Sequence, residues 1–410
     1  MYDDFLLSNK YFRSFCIYRL IFGISYSLMI PILPLFFKHN GMSTVTIGIV
    51  ISLYGVSKTI IQIPFGVISN NIGDKLTLKL SLLLMTFIPI GYILANTCFN
   101  YGTLYVFQGA ILGIAAPATY SILSRTLDSN RRGECTGLAS AVFTLGGGIG
   151  AAISGLILEK YTSFNLVFYT ASIGIFFSLL YVMIRIKKVK SPKLKQQNNH
   201  NIKDILYEIK SRNLTYKIII LGASAFLGDY IYSCVVALIH FYGQEVLGVS
   251  TIYTSGIIST YLLVFGLAAP IAGWVSDKIG HRKQFLLSFS IMNLTLLGLI
   301  LTRNVFIFTV IIVIYFLGAT FLNAVVQSSL SEFGEFSNIK GFVFGFVGAS
   351  ESLGYAIGPL ISSYIYNFNK NYLFIGLLIV SFLVTLTYIF FNKKYINNMW
   401  IITTTVINTK

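Results

Sequence analysis

Four ionisable side chains stand inside long apolar stretches of this 410-residue sequence: Arg19, Lys58, Asp229 and Glu351. A charge costs about 2.5–3.5 kcal/mol at the centre of a bilayer on insertion scales, so each group is expected to face protein or water. Two bases and two acids can form ion pairs, and a carboxyl group in a low-dielectric cavity binds a proton more readily than in water. The pattern therefore predicts proton binding at Asp229 or Glu351. The alternative is that all four residues form static structural pairs.

The elements that must hold these residues are membrane helices. Hydrophobic residues make up 55% of the chain and charged residues 11%, whereas about a quarter of a soluble domain is charged. The apolar runs lie near 11–37, 45–69, 77–95, 101–124, 134–158, 165–186, 216–242, 250–276, 284–302, 304–330, 339–366 and 371–392. Each is long enough to cross a hydrocarbon core of about 30 Å as a helix, and none alternates as the strands of a barrel do. We therefore predict an all-α membrane protein with twelve transmembrane helices.

The net charge of +16 is explained by topology. If both termini lie on one side, most of the 30 Lys and Arg residues fall in loops on that side, and only Lys38, Lys160, Arg303 and Lys370 fall in loops on the other. Basic loops mark the cytoplasmic side of a membrane protein. The sequence thus predicts cytoplasmic termini in the plasma membrane, with the lipid bilayer and no nucleic acid as the partner of the basic residues.

A charged segment divides the chain near its middle. Residues 191–215 are rich in Lys, Asn and Gln, and the piece "IKDILYEIK" within them has the spacing of a short helix on the membrane surface. We predict an N-terminal six-helix bundle over 1–190, a cytoplasmic linker over 191–215, a C-terminal six-helix bundle over 216–392 and a cytoplasmic tail over 393–410.

The two halves repeat each other. "GVISNNIGDKLTLK" begins at Gly66, and "GWVSDKIGHRKQFL" follows 207 residues later at Gly273. "GLASAVFTLGGGIGAAISG" matches "GFVGASESLGYAIGPLISS" at an offset of 208, which pairs Gly146 and Gly150 with Gly354 and Gly358. Parallel repeats of six helices are typical of transporters whose substrate site lies between the halves.

With these features the chain resembles the major facilitator superfamily over nearly its whole length. The resemblance implies two pseudo-symmetric six-helix bundles that rock about a central cavity lined by helices 1, 4, 7 and 10. It also implies that the duplicated turn is a latch on the cytoplasmic side, and that the glycine-rich helices are bends or hinges. The latch residues would be Gly66, Asn70, Gly73, Gly273, Asp277, Gly280 and Arg282, and the hinge residues Gly146, Gly150, Gly354, Gly358 and Pro359.

The two copies of the turn differ in charge. Gly73 and Gly280 permit the positive φ of a tight reversal, and Asp277 can pair with a loop cation such as Arg282. The first copy has Asn70 in place of the acid, and an amide lacks the charge that roughly doubles the strength of a hydrogen bond. We expect a weaker latch at the first copy; the alternative is an ordinary hydrophilic turn.

The resemblance also places the buried charges. Helices 2 and 11 meet between the halves in this family, so Lys58 and Glu351 are expected to pair across the seam and to separate when the cytoplasmic side opens. Asp229 and Arg19 lie on helices that line the cavity, so either can meet substrate, and Asp229 is the preferred proton carrier. Other cavity candidates are Gln108, Tyr120, Tyr315, Asn323 and Gln327, whose alternative role is packing between helices.

The leading functional expectation is export of a small organic solute in exchange for protons, because "PILP" at 31–34 is similar to the drug–proton antiporter branch of the family. Features of that branch are missing elsewhere, since Ala151 follows Gly150 and Tyr105 replaces an expected Arg. The alternatives are proton-coupled uptake or release of a sugar, organic acid or other metabolite, and a membrane sensor that does not transport. No enzyme site, cofactor or metal is predicted, because the four histidines form no cluster and no phosphate-binding loop is present. A monomer is expected.

Overall fold

The computed structural model describes residues 9–126, 132–186, 202–331, 333 and 339–408, and within these ranges the side chains of some residues, including Asn70, Tyr120 and Asp277, fall outside the description. Throughout the described ranges the regular elements are helical. They are α1a (Lys10–Ser27), α1b (Ile32–His39), α2 (Thr44–Ile72), α3 (Asp74–Leu94), α4 (Cys98–Thr126), α5 (Arg132–Tyr161), α6 (Phe164–Arg185), a linker helix (Ile202–Ser211), α7 (Thr215–Glu245), α8 (Thr251–Ile279), α9 (His281–Leu301), α10 (Val305–Ser331), α11 (Lys340–Phe368), a short 3₁₀ turn (Lys370–Tyr372) and α12 (Leu373–Asn408).

The membrane character of these helices follows from their length and composition. Counting α1a and α1b as one, eleven helices in the described part of the chain are long and apolar enough to span a bilayer. The remaining long helix, α11, has 29 residues and is not among these eleven; it contains Glu351 and many glycines and serines. The all-helical membrane fold predicted from the apolar runs is confirmed.

The first predicted helix is broken. A turn separates α1a from α1b, and Pro31 stands immediately before α1b. Proline has no N–H to donate within a helix, whereas it is well tolerated in the first turn, where the N–H has no intrahelical partner. Pro34 occupies that first turn. The two prolines therefore end one helix and begin the next within a single apolar run.

Helix packing repeats between the halves. In the first half α1 packs on α5 and α6, α2 on α4, and α3 on α4 and α6; in the second half α7 packs on α11 and α12, α8 on α10, and α9 on α10 and α12. Between the halves, α2 packs on α11 and α5 on α8. We call the end at which α1a begins and α2 ends the N-terminal face, and the end at which α1b, α7 and α11 finish the opposite face.

Glycines set the close approach of α5 to α1. A Cβ placed on Gly146 would lie 2.7 Å from the carbonyl oxygen of Leu20, and one on Gly150 would collide with the carbonyl of Ile24. Small residues four positions apart let two helix backbones touch in this way.

The second half repeats this contact with different neighbours. A Cβ on Gly358 of α11 would lie 2.8 Å from the carbonyl oxygen of Tyr230 on α7, and one on Gly354 would collide with the carbonyl of Phe226. The four glycines matched in sequence are thus four equivalent packing positions. Pro359, beside Gly358, is buried in the same helix.

The halves are in direct contact on the side of the opposite face. A Cβ on Gly48 of α2 would lie 2.6 Å from the carbonyl oxygen of Pro359 on α11, and Ser259 of α8 donates a 2.7 Å hydrogen bond to the carbonyl of Gly148 on α5. The structure is therefore a conformation in which the opposite face is closed.

Candidate functional site: a tyrosine-lined cavity above a charged seam

A cavity of about 280 Å³ lies between the halves, close to the lower end of the range of about 300–1,000 Å³ for small-molecule sites. Its lining comes from α1, α2, α4, α5, α7, α8 and α11. Nine aromatic rings line it: Phe15, Tyr18, Phe22, Tyr26, Tyr54, Tyr105, Phe143, Tyr232 and Tyr355. The expected contributions of helices 1, 4 and 7 are present, whereas no described residue of α10 lines this cavity.

Five tyrosines form one layer of the lining, which we call the tyrosine layer: Tyr26, Tyr54, Tyr105, Tyr232 and Tyr355. The ring centroids of Tyr54 and Tyr105 are 4.8 Å apart, those of Tyr54 and Tyr355 are 5.6 Å apart, and those of Tyr232 and Tyr355 are 6.1 Å apart. These separations lie in the range for favourable aromatic pairs. The layer joins α2 and α4 of the first half to α7 and α11 of the second.

A chain of hydrogen bonds fixes one side of this layer. The hydroxyls of Tyr26 and Tyr54 share a 2.8 Å bond, and Gln108 donates from Nε2 to the Tyr26 hydroxyl at 3.1 Å. Tyr92 donates in turn to Oε1 of Gln108 at 2.8 Å. Gln108, a predicted cavity residue, thus lies buried behind the lining, where it holds the hydroxyl of the lining residue Tyr26.

Three of the four predicted charges form a second layer, which we call the charge layer: Lys58, Asp229 and Glu351. Lys58 follows Tyr54 by four residues, Asp229 precedes Tyr232 by three, and Glu351 precedes Tyr355 by four. Residues three or four apart share one helix face. Because α2 runs toward the N-terminal face while α7 and α11 run away from it, all three charges lie about one turn, roughly 5 Å, nearer that face than the tyrosines.

The members of the charge layer act on each other electrostatically. Lys58 interacts with Asp229 and with Glu351, and the two carboxylates interact with each other. Among the described residues no Lys58 ion pair of 4.0 Å or less is formed, so the predicted Lys58–Glu351 pair stays a prediction for another conformation. The fourth charge, Arg19, lines the cavity and places its guanidinium 4.1 Å from the ring centre of Phe143.

The other predicted cavity residues lie elsewhere. On α10, Tyr315 is buried outside the lining, Asn323 is partly buried and Gln327 is exposed. The side chain of Tyr120 lies outside the described residues. The ring of Tyr315 lies 6.2 Å from that of its sequence neighbour Phe316. Aromatic and amide side chains on a helix are compatible with either role, so the cavity role of these residues stays a prediction.

The duplicated turn is only partly described. Gly73 has φ +95° and Gly280 φ +81°, as the tight reversals between α2 and α3 and between α8 and α9 require. The side chains of Asn70 and Asp277 lie outside the described residues, and so does the environment of Gly66, so the latch stays a prediction. A Cβ on Gly273 would meet nothing within 4 Å, and the backbone carbonyl of Arg282 accepts a 3.1 Å hydrogen bond from Tyr388.

Sequence reasoning missed a polar cluster at the opposite face, which we call the Glu245 cluster: Glu245, Lys38, Tyr366 and Lys370. Oε2 of Glu245 lies 2.9 Å from Nζ of Lys370 and accepts a 3.0 Å hydrogen bond from Tyr366. Oε1 lies 3.9 Å from Nζ of Lys38 on α1b. Lys38 belongs to the first half and the other three to the second, so the cluster bridges the closed face. A signal was present, since Lys38 and Lys370 are two of the few cations expected on that side.

Replacing Glu245 by Gln is expected to shift the conformational equilibrium several-fold toward opening of the opposite face. The amide loses the close ion pair with Lys370 and the longer one with Lys38. Because the Glu245 side chain is 27% exposed, solvent screening limits the effect to about 1 kcal/mol. Spin labels at Phe99 and Phe306, which are highly exposed near this face on different halves, would report the change in distance. Glu208→Gln is the matched control, since Glu208 of the linker helix is 24% exposed and pairs with Arg212. Unchanged label distances would show that the cluster does not hold this face closed.

A bundle of apolar helices in two repeated halves around a central cavity is the architecture of secondary transporters. The sequence profile of the Major Facilitator Superfamily matches residues 15–337 and, overlapping them, 255–400. The chain therefore belongs to the major facilitator superfamily and is an integral membrane transporter protein.

Individual relatives are distant. The chain is 23% identical over 373 residues to the riboflavin transporter RibZ of Clostridioides difficile, which covers 77% of this chain and 78% of that protein. It is 26% identical over 388 residues to the multidrug resistance protein MdtG of Escherichia coli, with coverage of 91% and 90%. Among solved structures, the nucleoside transporter NupG matches with a TM-score of 0.72 at 12% identity. The human organic anion transporter MFSD10 matches with a TM-score of 0.68 at 14% identity. Each match covers 93% of this chain and 99% of the other chain. The structural matches establish the fold alone.

Proposed function

We propose that this protein is a proton-coupled transporter of small aromatic organic molecules across the plasma membrane, with its N-terminal face in the cytoplasm. The observation that carries the proposal is the charge layer, which lies one helical turn from a cavity wall of tyrosines and spans the seam between the halves. The basic loops expected on the N-terminal face support its orientation.

The position of the charge layer gives a physical route to coupling. Lys58 belongs to the first half, whereas Asp229 and Glu351 belong to the second, so their attraction draws the halves together at this level. Because the interaction takes place away from bulk water, it is stronger than the same pair would be at a surface. A proton on either carboxylate weakens the attraction, so proton binding and the relative position of the halves are linked.

The relatives support an organic substrate. Proteins named for multidrug resistance support export, which was the leading expectation from the sequence, and a protein named as a riboflavin transporter supports an organic metabolite. The charge of the substrate decides the mode of coupling. A cation competes with a proton for the carboxylates and leads to exchange, whereas an anion gains from their protonation and leads to transport together with the proton.

The test is flux in proteoliposomes with and without an imposed pH gradient. Three naphthalene probes of similar shape differ in charge: naphthalene-2-sulfonate is negative, 2-naphthalenemethanol is neutral and 2-naphthyl-trimethylammonium is positive. We expect a pH gradient to drive at least one probe, and Asp229→Asn and Glu351→Gln each to reduce the gradient-driven part at least ten-fold while flux down a substrate gradient continues. Glu159→Gln, an exposed acid at the end of α5, is the control.

Two results would count against the proposal. Gradient-driven flux that survives in both carboxylate variants would remove the charge layer from the coupling. No flux of any probe in protein that is correctly folded would favour the alternative of a sensor that does not transport.

A further inference from the structure

We infer that His240 is a proton-binding site outside the charge layer: the opposite face closes only around the neutral imidazole, and a proton bound there holds that face open. This inference goes beyond the proposed function, since it concerns neither the substrate nor the charge layer. Asp229 precedes His240 by eleven residues on the same helix, which is about 16 Å. A proton cannot pass directly over that distance, so the two sites are separate.

His240 lies on α7, where the second half meets the break in α1. Its imidazole is fully buried, and the backbone of Pro31 in the first half lies against it. On its other side, Nδ1 lies 2.6 Å from Oγ1 of Thr254 on α8. His240 precedes the end of α7 by five residues and Thr254 follows the start of α8 by three, so the contact lies one to two helical turns below the opposite face. Opening of this face would separate Pro31 from the ring and admit water.

The hydrogen bonds leave one ring nitrogen without a partner. The single hydrogen of the Thr254 hydroxyl goes to the carbonyl of Thr251 at 3.0 Å, because a carbonyl oxygen can only accept. Oγ1 of Thr254 therefore accepts from the N–H at Nδ1, and Nε2 carries the lone pair. Nε2 is buried and finds no hydrogen-bond partner among the described residues. It is the atom that takes up a proton when water reaches the ring.

The closed face holds the protonated ring only at a high cost in free energy. A charge enclosed away from water has to be offset by an opposite charge or by several hydrogen bonds. The one acceptor near the ring besides Thr254 is the backbone of Pro31, and in the described part of the chain no charged side chain acts on the ring. In the open state the ring is hydrated, and an imidazole in water has a pKa near 6.5. Proton binding therefore favours the open state as the pH falls below that value.

The other titratable groups at this level face elsewhere. On α7 and the described helices that pack against it, those within about two turns of the opposite face are Lys38, His39, Tyr242, Glu245, Tyr253, Tyr364 and Tyr366. His39 and Tyr364 are exposed, Tyr242 bonds to Arg303 and Tyr253 to Thr309. The remaining three belong to the Glu245 cluster. Glu245 is the carboxylate among them, so the test has to remove it.

The test measures the distance between spin labels at Phe99 and Phe306 in the full-length protein in lipid nanodiscs, at pH 8, 7, 6 and 5. The background lacks the native cysteines and carries Glu245→Gln. We expect the ratio of open to closed protein to rise at least five-fold from pH 8 to pH 5. The upper limit is about thirty-fold, which corresponds to a group with a pKa of 6.5 that binds its proton only in the open state.

Two neutral replacements assign the response to His240. His240→Asn places an amide near the position of Nδ1, and His240→Gln places one near that of Nε2, and neither can take up a proton in this range of pH. Each should make the ratio of open to closed protein independent of pH. The matched control is His39→Gln, which removes an exposed histidine at the end of α1b on the same face and should keep the full response.

The outcomes separate this inference from the proposed function. A ratio that does not change with pH, or a response that survives in both His240 variants, would overturn the inference. The double variant Asp229→Asn, Glu351→Gln should keep the response while it loses gradient-driven flux. If that variant instead loses the response, the pH dependence belongs to the charge layer and the inference is wrong. Gradient-driven flux that survives in the double variant would count against the proposed function alone.

Discussion

Replacing Gly354 by Ala is expected to remove most of the stably folded protein. The new Cβ would collide with the carbonyl of Phe226 and lie 3.0 Å from the backbone nitrogen of Tyr230 on α7. Both neighbours are backbone atoms, which cannot rotate away as a side chain does, so α7 and α11 would have to separate. Overpacking costs about 1–3 kcal/mol when side chains can adjust, and more when they cannot. We expect about 3 kcal/mol or more, which is a large part of the stability of a typical protein.

The measurement is the thermal unfolding of purified protein in detergent, together with the monodisperse fraction on size exclusion. Gly150→Ala, the equivalent change in the first half, is expected to behave in the same way because its Cβ would meet the carbonyl of Ile24. The matched control is Gly256→Ala in α8, where a Cβ would meet nothing within 4 Å. Alanine is a better helix former than glycine by about 1 kcal/mol, so the control should be at least as stable as the wild type. A Gly354→Ala protein that melts with the wild type would show that these helices are not held at backbone contact.

From the sequence alone, these glycines could be predicted only to occupy equivalent positions in α5 and α11. The glycine pattern repeats at an offset of 208, which indicated that α5 and α11 have the same role in the two halves. Small residues also bend helices, however, and the pattern alone cannot separate bending from close packing. The choice depends on which carbonyl faces each glycine, and that is set by the neighbouring helices α1 and α7.

The depth of the charge layer in the membrane could be predicted from the sequence, but the tyrosines that lie next to it could not. Counting residues from the helix ends places Lys58 and Glu351 at similar levels, and a charge in an apolar run stands out. The chain has 26 tyrosines, and an aromatic residue in an apolar run can face lipid, core or cavity at similar cost. The five residues of the tyrosine layer are therefore distinguished only by the packing of the halves.

Two local features show where pattern reasoning ends. Pro31 and Pro34 lie within the single apolar run predicted over 11–37, but a break of α1 into two helices depends on how the backbone groups around them find hydrogen bonds. Gln108 is polar and near mid-helix, which favours a cavity position, yet it lies behind the lining with hydrogen bonds to Tyr92 and Tyr26. In both cases the structure depends on hydrogen bonds with other residues, which the local sequence pattern does not specify.

Replacing Gly48 by Ala is expected to leave both halves folded and to shift the protein about five-fold or more toward the conformation in which the opposite face is open. The new Cβ would collide with the side chain of Ser363 and lie 2.6 Å from the carbonyl oxygen of Pro359 on α11. Gly48 and α11 belong to different halves, so the clash is relieved when the halves separate at this face. At about 1–3 kcal/mol for overpacking, the shift corresponds to a factor of roughly 5–150 in the conformational equilibrium.

The measurement is the distance between spin labels at Phe99 and Phe306, in a background without the native cysteines. Longer distances with an unchanged melting temperature would separate Gly48→Ala, which acts between the halves, from Gly354→Ala, which acts within one. Gly256→Ala again serves as the control, since it adds the same methyl group in open space. If Gly48→Ala lowers the melting temperature as much as Gly354→Ala and leaves the distances unchanged, the contact between α2 and α11 is a permanent part of the fold. The two halves could then not part at this face, and access to the cavity would have to change by another route.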